Sequence, residues 1–91
     1  MKTIQKFSFI DSELSYEDAK ELLVELYKYK INFHKVKNFT SIIRYDKSDV
    51  DSVQKIEELK KSRDGILAFI EYAKIENSKI KIFSDVMLSS E

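Results

Sequence analysis

The spacing of the hydrophobic residues changes along this chain, and the change limits which folds the chain can form. Near the N-terminus, Phe7 and Phe9 alternate with polar residues. Near the C-terminus, apolar residues stand at even positions: Ile80, Ile82, Val86 and Leu88. Because side chains along a strand alternate between its two faces, a period of two is typical of β-structure. We predict one strand over about residues 2–10 and another over about residues 79–88.

The first half of the intervening segment follows the helical period. Apolar residues recur there at steps of three and four: Ala19, Leu22, Leu26, Tyr29, Phe33 and Val36. This spacing lines one side of a helix. A start signal precedes it in "SYED", where Ser15 can accept a hydrogen bond from the backbone N–H of Asp18. We predict a helix over about residues 15–38, with this stripe as its buried side.

The second half repeats the pattern. Its apolar residues also follow steps of three and four: Ile56, Leu59, Ile66, Ile70 and Ala73. The segment "SDVD" gives a second start signal, with Ser48 and Asp51. We predict a helix over about residues 48–76. Gly65 costs roughly 1 kcal/mol relative to alanine inside a helix, so the helix either continues through it or ends there, and the sustained spacing favours continuation. Arg63 falls at an interior position of the pattern, so we expect its side chain either to extend to solvent or to pair with an acid across the hairpin.

These elements fit together as a single α+β domain over residues 1–91. Two long helices of similar length suit an antiparallel hairpin, which brings the terminal strands to the same end, where they can pair. The expected order is therefore β-α-α-β. The β-branched residues Ile31 and Val36 leave a β-α-β-α-β order open. Because two strands alone make a marginal sheet, we expect a homodimer whose strand edges join into a four-stranded sheet.

Composition narrows the class of protein. The chain has 16 Lys and Arg residues against 16 Asp and Glu residues, so its formal net charge is zero. A protein that coats nucleic acid is usually strongly basic. The absence of cysteine excludes a disulfide framework and a thiolate nucleophile. No apolar run approaches the roughly 20 residues that span a membrane, and the start lacks a signal-peptide pattern. We expect a cytoplasmic protein without a membrane partner.

The basic segment 28–47 is the strongest candidate for a binding surface. Aromatic residues lie among its charges, as in proteins that bind anions or nucleic acid. The candidate residues are Lys28, Lys30, His34, Lys35, Lys37, Arg44 and Lys47. On a helix, His34 shares a solvent-facing stripe with Tyr27, Lys30 and Lys37. The basic residues also have a possible structural role, because lysines near a helix C-terminus interact favourably with the negative end of the helix dipole. We expect Phe39, Ile42 and Ile43 to fill the hairpin tip, and Phe33 to lie in the core.

Catalytic chemistry has little support. A catalytic His34 would need a nucleophile or a carboxylate within hydrogen-bond reach, and neither is close in sequence. A single histidine without cysteine disfavours zinc. Asp18, Glu21 and Glu25 share a helix face that could bind a cation, although a solvated face is the ordinary explanation. Since Gly65 is the only glycine, there is no glycine-rich phosphate loop. We predict no catalytic, cofactor-binding or metal-binding residues, no cofactor and no enzymatic activity.

Three segments together resemble a family of small uncharacterised bacterial proteins: "AKELL" (Ala19–Leu23), "KINFHKVKNF" (Lys30–Phe39) and "IEELK" (Ile56–Lys60). The resemblance covers most of the chain. It implies no activity and no catalytic residue, because none is established for the family. Relatives often have glycine and proline in the loop that corresponds to "RYDKSD", and this chain has neither there.

The function that these patterns favour is binding of another macromolecule, an unidentified protein, by a non-enzymatic homodimer. The alternative is a nucleic-acid-binding regulator that uses the basic segment 28–47. The two differ in salt dependence, because the affinity for duplex DNA falls with a log–log slope of about −0.9 for each phosphate contact. An enzyme, with a cavity around His34, is the third possibility.

Overall fold

A computed structural model describes residues 2–90 of the chain. It contains four elements in the predicted order: β1 (Thr3–Leu14), α1 (Tyr16–Tyr45), α2 (Val50–Ile75) and β2 (Ile80–Ser90). The two strands pair antiparallel and the two helices form a hairpin. The α+β class and the β-α-α-β order are therefore confirmed.

Helix α1 starts where the sequence predicts and ends later. The backbone N–H of Asp18 donates to Ser15 Oγ at 3.1 Å, as expected for a capping serine. The predicted end near residue 38 is wrong, because residues 39–45 contain neither glycine nor proline and the helix continues through them. It ends at Asp46, which adopts the left-handed conformation (φ 53°) and donates its backbone N–H to the carbonyl of Ile42.

Residues 46–49 connect α1 to α2, and the N-cap residue of α2 differs from the one expected. Asp49, not Ser48, is the N-cap residue. Its backbone N–H donates to Asn38 Oδ1 of α1 at 2.7 Å, and its carboxylate accepts from the hydroxyl of Ser52 at 2.9 Å. The first bond joins the two helices at the hairpin tip, and the second lies within the first turn of α2. From there α2 runs without a break through Gly65, which confirms the continuous helix.

The strands form a two-stranded ribbon with one apolar face. Pairing extends from Thr3 opposite Ser90 to Leu14 opposite Ile80, so β1 is four residues longer than predicted at its C-terminal end. An irregularity between Ser8 and Ile10 adds one residue to β1, as a β-bulge does. As a result, the even-numbered residues of β2 pair with the apolar residues of β1 on both sides of the bulge, and the two sets lie on the same face of the ribbon. The opposite face mixes charges, including a Lys6–Asp85 ion pair at 3.3 Å, with the exposed apolar side chains of Ile4, Phe83 and Met87.

The core lies where the base of the ribbon meets the open end of the hairpin. Ala19, Ile70, Ala73 and Ile80 are buried there, and Leu14, Tyr16, Leu23, Ile66 and Ile82 pack against them. The hydroxyl of Tyr16 donates to the carbonyl of Ser78 and lies 3.4 Å from the carbonyl oxygen of Ala73. This ring thus ties the start of α1 to the end of α2 and to the turn that leads into β2.

The chain is flat and extended. Its principal dimensions are 50 × 34 × 15 Å. A helix of 30 residues is already about 45 Å long, so the long dimension is that of the hairpin, and the ribbon turns across the helices. The radius of gyration is 16.6 Å, whereas a compact domain of this length has about 12 Å. Much of the apolar surface of a single chain is consequently left uncovered.

Candidate interaction surfaces

A cleft lies where the ribbon turns across the hairpin. Its volume is about 680 Å³, within the range of about 300–1,000 Å³ that is typical of ligand pockets. The strands form one wall and both helices form the other. Apolar side chains dominate the lining: Ile10, Leu26, Ile66, Phe69, Ile80 and Phe83. Phe69 and Phe83 are both more than three-fifths exposed, so the cleft offers aromatic surface to a molecule that enters it.

The apolar stripe of α1 that the sequence marks as buried is covered only in its first half, through Leu26, and is exposed from Tyr29 onward. Tyr29 is 78% exposed, Phe33 57% and Val36 56%. Helix α2 lies against another side of α1, which includes Leu23, Ile31 and Asn38. That side also repeats at steps of three and four, so its spacing is as regular as that of the exposed stripe. The prediction that Phe33 belongs to the core is therefore wrong.

The expected apolar plug at the hairpin tip is also absent from the described structure. Phe39, Ile42 and Ile43 belong to α1, which continues past them, and all three are exposed. Polar groups hold the tip instead. Besides the bonds of Asp49, the hydroxyl of Ser41 donates to the carbonyl of Lys47 at 2.8 Å.

His34 does not lie on a solvent-facing side with Lys30 and Lys37. Its side chain is half-buried, and its Nδ1 atom is buried without a hydrogen-bond partner. The ring meets that of Phe33 edge-on, with centroids 5.2 Å apart. The solvent-facing prediction for His34 is wrong for the same reason as the core prediction for Phe33: α2 covers the side of α1 that carries His34. The described residues bring no nucleophile or carboxylate into hydrogen-bond contact with this ring.

The basic segment divides between two places. Lys28 and Lys35, seven residues apart, lie on one face of α1, where a groove of about 360 Å³ also takes Lys60 and Arg63 from α2. The sequence alone indicates that Lys60 and Arg63 lie on the same face of α2, because residues three apart on a helix are neighbours. Arg63 is ion-paired with its neighbour Asp64 at 3.2 Å. It therefore does not reach an acid across the hairpin.

The other basic residues lie nearer the hairpin tip. Lys37 and Arg44 line a groove of about 340 Å³ together with Asp49, and Lys47 lines a neighbouring one. A hydrogen bond from the Ser52 hydroxyl lowers the pKa of Asp49 below its ordinary value of 3.8, and the nearby charge of Lys37 contributes further. Lys30 lines neither of these two grooves nor the one that contains Lys28. Residues 28–47 thus do not present all their charges on a single face.

The acidic residues of α1 are solvent-exposed. Asp18, Glu21 and Glu25 follow one another along the first half of the helix. Across residues 2–90, no group of three or more His, Asp or Glu side chains is arranged to hold a metal ion. Within the same range, neither helix is long and apolar enough to cross a membrane.

Comparison with known proteins adds no relative. No family model, curated protein or solved structure matches this chain. The resemblance carried by "AKELL", "KINFHKVKNF" and "IEELK" therefore stays a prediction.

Proposed function

We propose that this protein is a cytoplasmic, non-enzymatic homodimer that binds another protein. The observation that carries the proposal is the amount of surface that one chain leaves exposed. A compact monomer of 10.8 kDa exposes about 5,500 Å², whereas this chain exposes 7469 Å². The excess is about 1,900 Å² per chain, and obligate dimers bury about 2,000–5,000 Å² over both partners. Contact with a second copy can therefore bury an area as large as this excess.

The composition of the exposed surface supports the same proposal. Large apolar side chains are exposed on all four elements, among them Phe7, Tyr29, Phe69 and Phe83. Monomeric soluble proteins rarely expose contiguous apolar patches of more than a few hundred Å². The ribbon also has two open edges, which are sites for pairing with another strand. A four-stranded sheet formed by two ribbons is one arrangement of the dimer.

The cleft between ribbon and hairpin is the proposed site for the protein partner. Its walls are apolar and aromatic, and Lys81 is its only charged lining residue among those described. An apolar segment of a protein suits such walls better than a phosphate group does, because phosphate recognition needs convergent donors and positive charge. The aromatic side chains Phe69 and Phe83 are of the type enriched at protein interfaces.

The groove lined by Lys28, Lys35, Lys60 and Arg63 favours a second candidate function, binding of nucleic acid. Among the described residues, Asp64 is the only acid ion-paired with any of these four cations. Two helices thus bring positive charge together on one face of the hairpin. That face is small, and the chain as a whole has no net charge. Nucleic-acid binding is therefore the second candidate, after protein binding.

Native mass spectrometry and a DNA-binding assay test the two candidates together. A mass of twice 10.8 kDa, retained over a hundredfold range of protein concentration, is the expected result. A monomer throughout that range would contradict the homodimer. Labelled duplex DNA is then titrated at low and at physiological salt. Absent or salt-insensitive binding discards the second candidate, whereas a steep fall in affinity between about 50 and 200 mM salt would support it.

A further inference from the structure

Helix α1 carries two stripes at steps of three and four, and the hairpin covers only one of them. The covered stripe faces α2 and becomes polar toward the tip, with His34, Asn38 and Ser41. The other stripe, which we call the outer stripe, comprises Leu22, Leu26, Tyr29, Phe33, Val36, Thr40 and Ile43. From Tyr29 onward its residues are exposed. Leu22 and Leu26 are half-buried, and Leu26 lines the cleft. The part of the more apolar stripe from Tyr29 to Ile43 is thus the part left exposed in a single chain.

The outer stripe has the spacing of a coiled-coil seam. Its steps run four, three, four, three, four and three from Leu22 to Ile43, a repeat of 3.5 residues kept over three heptads. Thr40 is the only position of the stripe that is not apolar or aromatic. In heptad terms Leu26, Phe33 and Thr40 are a positions, and Leu22, Tyr29, Val36 and Ile43 are d positions. Such a seam normally packs against an identical or similar seam of another helix.

The charges beside the outer stripe select its orientation. One flank, at the e positions, carries Lys30, Lys37 and Arg44, and the other, at the g positions, carries Glu25, Asn32 and Phe39. In a parallel pair a g residue faces the e residue five positions further along the partner, which sets Glu25 against the partner copy's residue 30, a lysine. In an antiparallel pair e faces e, so lysines would face lysines. The flanks therefore favour parallel packing of two copies.

We infer that the exposed part of the outer stripe, from Tyr29 to Ile43, is the dimer interface, a parallel two-stranded seam between the α1 helices of two copies. This inference rests on the proposed homodimer and specifies its geometry. The two-fold axis runs along α1, so both ribbons and both clefts lie at the same end of the dimer. A protein partner consequently meets two adjacent clefts at one end. The seam replaces pairing of strand edges as the main contact between copies.

Disulfide trapping tests the orientation, because the chain has no cysteine of its own. In a parallel seam the two copies of Ile43 face each other, so Ile43→Cys is expected to form a covalent dimer under mild oxidation. Antiparallel packing of the same stripe would separate these positions by more than about 20 Å, far beyond the 4.4–6.8 Å Cα separation of a disulfide. Lys61→Cys, on the exposed side of α2, is the matched control and is expected to remain reduced. Absence of the Ile43→Cys dimer would overturn the parallel seam.

Charge reversal tests the pair between Glu25 and Lys30. Each single variant, Glu25→Lys or Lys30→Glu, places like charges together at two symmetric sites, and we expect the dimer dissociation constant to rise about tenfold. The double variant restores opposite charges and is expected to recover most of the affinity. Additive losses in the double variant would contradict the predicted contact.

Phe33→Glu separates failure of the seam from failure of the homodimer. Phe33 is more than half exposed in one chain, so the substitution spares the hairpin and places a charge in the seam. A helical monomer by circular dichroism and native mass supports the seam. A dimer as tight as the unsubstituted protein would overturn it and leave the homodimer standing through another contact. Tyr72→Glu, at an equally exposed aromatic residue of α2, is the control and is expected to remain dimeric. If the unsubstituted chain is itself a monomer, both proposals fail.

Discussion

At the scale of single residues, Tyr16 joins three parts of the chain through one hydroxyl. The group donates to the carbonyl of Ser78 and lies 3.4 Å from that of Ala73. Tyr16→Phe keeps the ring and removes the hydroxyl. We expect the free energy of unfolding to fall by about 0.5–1.5 kcal/mol, measured by urea denaturation followed by circular dichroism. Tyr72→Phe, at an exposed ring, is the control, and equal losses in both variants would contradict the role given to Tyr16.

Asp49 gives the hairpin tip a dependence on pH. Its pKa lies below 3.8 in the folded chain, chiefly because the Ser52 hydroxyl donates to its carboxylate. The folded state therefore binds this proton more weakly than the unfolded state does. The carboxylate contributes stability that is fully present above its unfolded pKa and is lost as the pH falls through the folded pKa.

The test is an NMR titration of the Asp49 carboxyl carbon. In Ser52→Ala the main cause of the shift is removed, so we expect the pKa of Asp49 to rise toward 3.8. Ser62→Ala, an exposed serine of the same helix, is the control and is expected to leave that pKa where it is. An unchanged pKa in Ser52→Ala would show that another group holds it down.

At the scale of the elements, Gly65 is a weak point in the middle of α2. It has an ordinary helical conformation, and a Cβ atom placed on it meets no atom within 4 Å. Gly65→Ala is therefore expected to raise the free energy of unfolding by about 0.5–1 kcal/mol, because alanine restricts the unfolded chain without strain in the helix. Thermal unfolding measures the gain. Ala68→Gly, an exposed position one turn away, is expected to show a loss of similar size. A lower midpoint for Gly65→Ala would mean that the position needs glycine for another reason.

The elements themselves are predictable from the sequence because their signals are local. A period of two marks each strand, steps of three and four mark each helix, and Ser15 marks the start of α1. The choice of buried stripe on α1 is not local. Leu22, Leu26 and Tyr29 follow helical steps of three and four, and Leu23, Tyr27, Ile31 and His34 do so as well. Only the position of α2 decides which set is buried. The misplacement of His34 and Phe33 has this single cause.

The candidate surfaces show the same limit. Lys28 and Lys35 can be placed together from their spacing alone, because seven residues bring a helix back to the same face. Their approach to Lys60 and Arg63 depends on how the hairpin closes, and the cleft depends on how the ribbon turns across it. The predicted end of α1 near residue 38 is too early because the helix ends at the left-handed conformation of Asp46, and aspartate is a residue type that also occurs inside helices.

At the scale of the whole molecule, the open shape of one chain predicts that folding and association are coupled. The main cluster of buried apolar residues lies at the base of the ribbon, while the outer stripe from Tyr29 onward and much of the ribbon are exposed. If a second copy covers them, a large share of the apolar burial occurs between chains. Stability then depends on protein concentration, because association draws the equilibrium toward the folded form.

We therefore expect the urea midpoint of unfolding to rise with protein concentration. Each tenfold increase in concentration adds about 1.4 kcal/mol to the apparent stability of a dimer that unfolds to monomers. Circular dichroism over a hundredfold range of concentration measures the shift. Phe33→Glu, which breaks the inferred seam, is expected to unfold at a lower midpoint that no longer varies with concentration. A midpoint that is constant for the unsubstituted chain would mean that a single chain is stable without the cover of a second, and the exposed apolar surface would then need a different occupant.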